Sequence, residues 1–187
     1  LNYQFSGAAR QELAQEIRAQ LEKFQQTGLP LSHVDGHKHL HCHPVVLNIL
    51  LDLAQEFAIP VIRLPWEELR LNLSIDRRNL LDKALHWWVF GQLRRAGLQR
   101  LQGLGLSTPE RVYGLLQTGN MSEAYLLKLI PQITANQIEI YFHPACPDPN
   151  QVTYGNEIEL QALLSPQVRQ ALSQAQFQLV NFHEWRG

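Results

Sequence analysis

No run of apolar residues in this sequence comes near the ~20 needed to cross a bilayer, so no membrane-spanning helix is expected. No charge sign is in excess either. Sixteen lysines and arginines against 17 aspartates and glutamates leave a formal net charge of −1, which argues against a dedicated nucleic-acid binder, whose phosphate contacts need a basic surplus. Cysteine is scarce: the two present, Cys42 and Cys146, each lie beside a polar motif. That excludes a disulfide framework and points to free thiols in a reducing compartment. No signal-peptide pattern precedes the first helical pattern, and a cytoplasmic location is the expectation. Methionine occurs once, at Met121, and the chain begins at Leu1; the expectation is a segment that starts inside a longer reading frame or after processing. Low-complexity tracts, short internal repeats and linkers are lacking as well. With 187 residues, 45% apolar and 18% charged, the composition is that of one globular domain, residues 1–187.

What the sequence has in concentration is histidine. Five of its eight, at 33, 37, 39, 41 and 43, fall in Ser32 to Pro44, with Asp35 among them. An extended run would send His33, Asp35, His37 and His39 to one face and Val34 and Leu40 to the other. A row of imidazoles around a carboxylate is what a divalent metal with nitrogen and oxygen ligands requires. Gly36 would serve a backbone geometry closed to other residues where a strand ends over a site, and Pro44 suits the first position of a following helix. Five histidines exceed any ligand set, so some must orient others or face solvent.

Around this run, strand and helix patterns alternate. Ala8 to Gln26 and Val45 to Phe57 read as amphipathic helices, and Leu31 to Gly36 and Ile59 to Leu64 as strands. Asp76 to Arg95 is a long helical pattern with Trp87, Trp88 and Phe90, ending in arginines; a core-packing helix with a solvated basic end is the plainer reading, a lipid or partner surface the other. Arg111 to Leu116 and Ile138 to His143 are further strands, with a helix from Ser122 to Ile130 between them. A proline-rich irregular segment follows, Pro144 to about Gly155. Helices at Glu157 to Leu164 and Pro166 to Ala175, the latter capped by Ser165, lead to a last strand, Phe177 to Phe182. This alternation predicts an α/β fold with a parallel sheet or barrel. Five strands are fewer than the eight of a closed barrel.

In parallel α/β folds ligands bind beyond the carboxyl ends of the strands, where Asp35 to His39, Arg63 and His143 fall. Period two places Glu139, Tyr141 and His143 on one face of their strand, and a polar face in a buried strand is costly unless its groups bond one another or a ligand. A core ion pair of Glu139 with Arg63 is the plainer account. The functional account is metal-assisted hydrolysis of an amide or ester, with His37 as a ligand, His143 as proton donor to the leaving group, and Asp35 as base, ligand or orienting partner. Arg63, Glu139 and Tyr141 are the candidates for substrate binding. His183, after the last strand, is a weaker candidate.

The motif Ser32-His33-Val34-Asp35-Gly36-His37-Lys38-His39-Leu40-His41, followed downstream by Phe142-His143-Pro144-Ala145, resembles the YdjC-like carbohydrate deacetylases. The tracts Arg63-Leu64-Pro65, Arg111 to Leu115 and Glu139 to Ala145 look closest to the hopanoid-biosynthesis-associated (HpnK-type) subgroup. The resemblance implies a TIM-barrel-like (β/α) fold, here about five βα units without the N-terminal strands. It implies a divalent metal ion, magnesium or zinc, and removal of acetyl groups from an N-acetylated sugar or glycolipid, with peripheral membrane contact or oligomerisation open. By motif, His37 matches a metal ligand and His143 the catalytic histidine, while Asp35 and His39 match further site positions. The family's opening Asn-Ala-Asp-Asp-Phe-Gly strand and a later His-Leu-type motif are not in this sequence. The resemblance therefore implies a C-terminal portion carrying roughly one of three metal ligands and inactive alone. An amidohydrolase-like metal hydrolase, or a non-catalytic metal-binding or interaction module from a split gene, are the alternatives.

Overall fold

The computed structural model describes residues 6–146 and 156–185. The part of the expected proline-rich segment at 147–155 lies outside the described residues. Seven α-helices, two short strands and two 3₁₀ turns are found among them: α1 (Gly7–Gln25), a 3₁₀ turn (His37–Cys42), α2 (Pro44–Leu53), α3 (Leu69–Ile75), α4 (Leu80–Gly103), β1 (Arg111–Tyr113), α5 (Glu123–Leu129), a second 3₁₀ turn (Ile130–Gln132), β2 (Ile138–Ile140), α6 (Asn156–Leu164) and α7 (Pro166–Gln174). The chain divides into two compact units. The first comprises residues 1–64, 91–108 and 181–187, and the second residues 65–90 and 109–180. No helix among the described residues is long and apolar enough to cross a membrane.

In the first unit, Ser6 starts α1 by accepting the Ala9 N–H, and Pro44 occupies the first turn of α2 as its missing N–H allows. Leu21 of α1, Leu47, Leu50, Leu51 and Leu53 of α2, and Leu101 of α4 are buried together with Phe57, Ile59, Ile62 and Leu64. The expected strands at 31–36 and 59–64 are corrected to isolated parallel bridges, Val34 with Ile62 and Val61 with Ser107. The ladder stops after one rung for identifiable reasons. Pro60 and Pro65 bring no N–H to it. The Arg63 carbonyl is taken by the His41 ring and the Leu64 N–H by the Thr108 hydroxyl at 3.0 Å.

In the second unit, β1 and β2 pair in parallel, Arg111 opposite Ile138, Val112 opposite Glu139 and Tyr113 opposite Ile140. Their apolar side packs on α5, α6 and α7 through Tyr113, Tyr125, Leu126, Leu129, Ala162 and Val168. Ser122 and Ser165 cap α5 and α7 as the sequence predicts. The expected strand at 177–182 is corrected too: it has no strand pairing among the described residues, and Leu179 and Val180 are exposed. Phe177 instead donates its N–H to the Leu172 carbonyl, closing α7, and the chain turns at 182–184. The observed architecture is mixed α/β with one two-stranded parallel sheet among the described residues.

Candidate active site

The bridge at Val34 positions the candidate residues of the first unit. Val34 donates to the Val61 carbonyl (2.9 Å) and accepts from the Arg63 N–H (3.1 Å), which sets Asp35 beside Arg63 at the ends of two parallel segments. The Arg63 guanidinium donates to Asp35 Oδ2; the arginine side chain is 11% exposed and the aspartate 42%. The histidine run is not extended past this point, and the alternating-face expectation for His37 and His39 is overturned. The His39 N–H returns to the Gly36 carbonyl (2.8 Å) and the chain coils into the 3₁₀ turn. Left-handed backbone falls on Lys38 (φ 50°) and His39 (φ 56°) rather than on Gly36, whose φ of −148° any residue adopts. Two successive non-glycine residues there cost about 1–2 kcal/mol each, and such strain is stored where surrounding bonds over-determine it.

His41 supplies that restraint. Its ring is 3% exposed and Nε2 donates to the Arg63 carbonyl at 2.6 Å. Burial lowers its pKa, against the opposing pull of the carbonyl, so the ring is neutral with the proton on Nε2. Nδ1 lies over Gly36, where an added Cβ would crowd it at 3.3 Å. Next to it the Cys42 thiol is pushed up to about 12 by burial, which makes it an inert core sulfur. Removing the ring by His41→Ala takes away the short bond to the Arg63 carbonyl, leaving it the weak Cys42 thiol contact at 3.8 Å, and opens a cavity, so a loss of about 2–3 kcal/mol is expected. Urea unfolding checks this, and a midpoint shared with the parent chain would refute the restraining role.

The five imidazoles are thereby sorted. His41 braces the turn. His43 caps α2, its Nδ1 accepting the Val45 N–H at 3.3 Å. His33 stacks on Phe182 with centroids 4.0 Å apart, and its Nδ1 lies 2.9 Å from the Ser32 hydroxyl. His37, exposed, and His39, half-buried, remain on the strained turn beside the Asp35–Arg63 pair. Among the described residues no group of three His, Cys, Asp or Glu side chains is placed to hold a metal ion. A catalytic metal takes about three protein ligands, so the described donors do not fit one by themselves.

The candidate residues of the second unit lie at the carboxyl ends of β1 and β2. Ile138, Ile140 and Phe142 pack into the core, and the alternation leaves Glu139, Tyr141 and His143 off it. Tyr141 N–H donates to the Tyr113 carbonyl at 3.1 Å, and its ring meets His143 edge-on, centroids 5.5 Å apart at 80°. The His143 side chain is 52% exposed. Gly114, just past β1, has φ +118°, and a Cβ there would stand 2.8 Å from the Tyr141 carbonyl oxygen. Only glycine fits. Gly114→Ala is expected to cost about 2–4 kcal/mol from backbone strain and overlap, and to broaden the Tyr141 and His143 resonances in NMR spectra; unperturbed spectra and stability would contradict it.

Two buried carboxylates here escaped the sequence reading. Glu67 is 1% exposed, and its Oε1 accepts the Gly114 and Leu116 N–H groups at 3.1 and 2.8 Å. Burial pushes it up to about 7. Glu159 is 0% exposed. Its Oε1 accepts from Met121 N–H (3.1 Å), and its Oε2 from His143 N–H (2.6 Å). The signal for Glu159 was its spacing of three from Ala162, which shares the core face of α6; Glu67 sits in an irregular segment that offers no period. Beside them Arg111 donates to Glu68 and lies over the Trp66 ring at 4.7 Å, and the Tyr113 hydroxyl donates to Glu68 at 3.0 Å. The structure thus brings the predicted residues together in two sets: Asp35, His37, His39 and Arg63 in the first unit, and Glu139, Tyr141 and His143 in the second.

The described residues form a mixed α/β chain in which the histidine-dense turn follows the Val34 bridge and His143 follows β2. Residues 1–174 match the YdjC-like protein family, and the chain belongs to that family. It is 47% identical over 72 residues to a carbohydrate deacetylase of Brevibacillus brevis, a match covering 36% of this chain and 29% of that protein. It is 28% identical over 177 residues to a chitooligosaccharide deacetylase of Yersinia pestis, covering 91% of this chain and 60% of the relative. Among solved structures, a protein of Enterococcus faecalis described as acting in cellobiose-phosphate cleavage shares the fold, with a TM-score of 0.64, 20% identity, and coverage of 93% of this chain and 60% of that one. The chain spans less than two thirds of the length of each of these relatives.

Proposed function

We propose that this chain is part of a metal-dependent, cytoplasmic carbohydrate deacetylase that hydrolyses the N-acetyl group of an N-acetylated sugar. The observation that carries the reading is the family match over residues 1–174 together with sugar deacetylases among the relatives. In the reaction, water adds to the acetyl carbon, the C–N bond breaks, and acetate leaves a free amine on the sugar. His143, half exposed at a strand end, delivers the proton the departing nitrogen needs. Asp35 is the carboxylate of the other set; Arg63, engaged with it and little exposed, serves by holding it in place. Tyr141 and Glu139, off the core face of β2, are assigned to the sugar. His37 and His39 are assigned to the metal, magnesium or zinc, as one contribution to a ligand set that the described residues do not complete. A TIM-barrel-like fold for a longer protein belongs to the same proposal, as does the reading of this chain as a portion of it, which the 60% coverage of the relatives supports. A glycosylated hopanoid is the narrower substrate, supported by the motif resemblance and by Leu81, Leu85 and Trp88 exposed along α4.

The test is acetate release from N-acetylchitooligosaccharides and from an N-acetylglucosaminyl hopanoid by the product of the whole reading frame, with this chain alone alongside. Acetate from the whole product and little from the chain is the expected result. No acetate from either, with metal uptake retained, would overturn the enzymatic reading in favour of a non-catalytic module. Full activity of the chain alone would remove the portion reading, and a glycolipid turned over no better than the chitooligosaccharide would remove the narrower substrate.

A further inference from the structure

We infer that Glu159 is the positioning residue for His143, holding both its backbone and the protonation pattern of its ring. A carboxylate fully withdrawn from water is costly unless donors face its oxygens, and two backbone N–H groups face those of Glu159. Among the described residues the sole nitrogen base within ion-pair range of Glu159 is His143, whose Nδ1 lies 3.9 Å from Oε2. The same Oε2 accepts the His143 N–H at 2.6 Å, while Oε1 accepts from Met121 N–H at 3.1 Å. One side chain of α6 therefore ties the segment after β2 to the start of α5.

Tying two N–H groups needs an acceptor and not a charge, so a neutral amide could do that part. The charge has a separate effect. A negative oxygen facing Nδ1 favours the tautomer with the proton on Nδ1, and leaves Nε2 as the nitrogen that exchanges protons with a substrate. The 3.9 Å separation is longer than a hydrogen bond but within ion-pair range, so the carboxylate acts on the ring through its charge. Tyr141, edge-on to the same ring at 5.5 Å, limits how far that ring can turn.

The inference rests on the deacetylase reading for the use made of His143, though the tautomer itself does not. In the ¹⁵N-labelled chain at a pH where the imidazole is neutral, His143 nitrogen shifts should report mainly the Nδ1–H form, moving toward the Nε2–H form in Glu159→Gln. In the whole protein Glu159→Gln should lower kcat for acetate release about ten- to a hundredfold with KM unchanged. Added to His143→Ala it should cause no further loss. A parent chain already in the Nε2–H form overturns the inference even where the variant does not fold, as does a variant with unaltered tautomer and kcat. Should His143→Ala leave acetate release intact, His143 has no part in the reaction, and should the parent whole protein release no acetate, the deacetylase reading fails; in either case the tautomer result still decides the role of Glu159.

Discussion

His143→Ala in the whole-reading-frame protein is expected to lower acetate release about 10²–10⁴-fold, the range for losing a positioned general acid. Stability should barely change. The side chain is 52% exposed, so little apolar area returns to water on its removal, and the backbone N–H that Glu159 accepts survives the exchange. Chemistry and folding are thereby separated at one residue. The loss should fall on kcat more than on KM, since proton delivery to the leaving nitrogen matters in the transition state and not in ground-state binding. A substrate with an acetylated leaving group acidic enough to depart without a proton, such as an aryl ester, should show a much smaller loss. Activity within twofold of the parent on the chitooligosaccharide would remove His143 from the reaction.

How much of this was legible in the sequence follows from whether the deciding interaction was local. Pro44 at the head of α2, Ser122 on α5 and Ser165-Pro166 on α7 appear where the sequence places them, because a cap is a bond between residues two or three apart. The family motif was legible for the same reason, being a continuous string. Strands were not. A strand exists by virtue of its partner, and apolar runs at 31–36 and 59–64 yielded single bridges because the neighbouring acceptors and donors went to His41 and Thr108 side chains. The long aromatic helix begins at Leu80 instead of Asp76 because Asp76 closes α3, its N–H on the Asn72 carbonyl, while its side chain takes Arg78 and Gln117. α3 itself, Leu69–Ile75, alternates apolar and polar residues with no helical period. Its buried Asn72 donates to the Tyr125 hydroxyl at 2.8 Å, a tertiary bond overriding local pattern. The histidine run reads as extended only if His41 is polar surface. Once His41 is a core residue bonded to Arg63, the turn at Lys38 and His39 follows, and the expected row of imidazoles is broken.

The folded chain should lose stability relative to its Glu67→Gln variant by about 3 kcal/mol as pH rises from about 4.5 to about 7. The sign is the reverse of the usual carboxylate case. Glu67 is raised from 4.5 to about 7, burial being the main cause and the Leu116 and Gly114 N–H bonds opposing it. Below the unfolded value both states hold the proton and the group contributes nothing. Inside the window the native state keeps a proton that the unfolded chain has released, so each further pH unit costs about 1.4 kcal/mol. Above about 7 both states are ionised, and the penalty is complete and constant. Geometry agrees with a protonated native form: both N–H bonds fall on Oε1, so Oε2 can carry the proton without displacing either. Glutamine reproduces that arrangement without titrating. Comparison with the variant is essential, because His41 runs the other way. Its lowered pKa means the unfolded chain takes up a proton first as pH falls below about 6.5, so its contribution to stability grows with rising pH and partly masks that of Glu67. The difference between the two proteins cancels His41. Urea midpoints at pH 5, 6, 7 and 8 should therefore diverge steadily up to neutrality and run parallel beyond it. Parallel curves from pH 5 onward would mean that Glu67 is ionised in the native state throughout, and that the loop at Gly114 to Leu116 is held by a charge and not by a neutral acid.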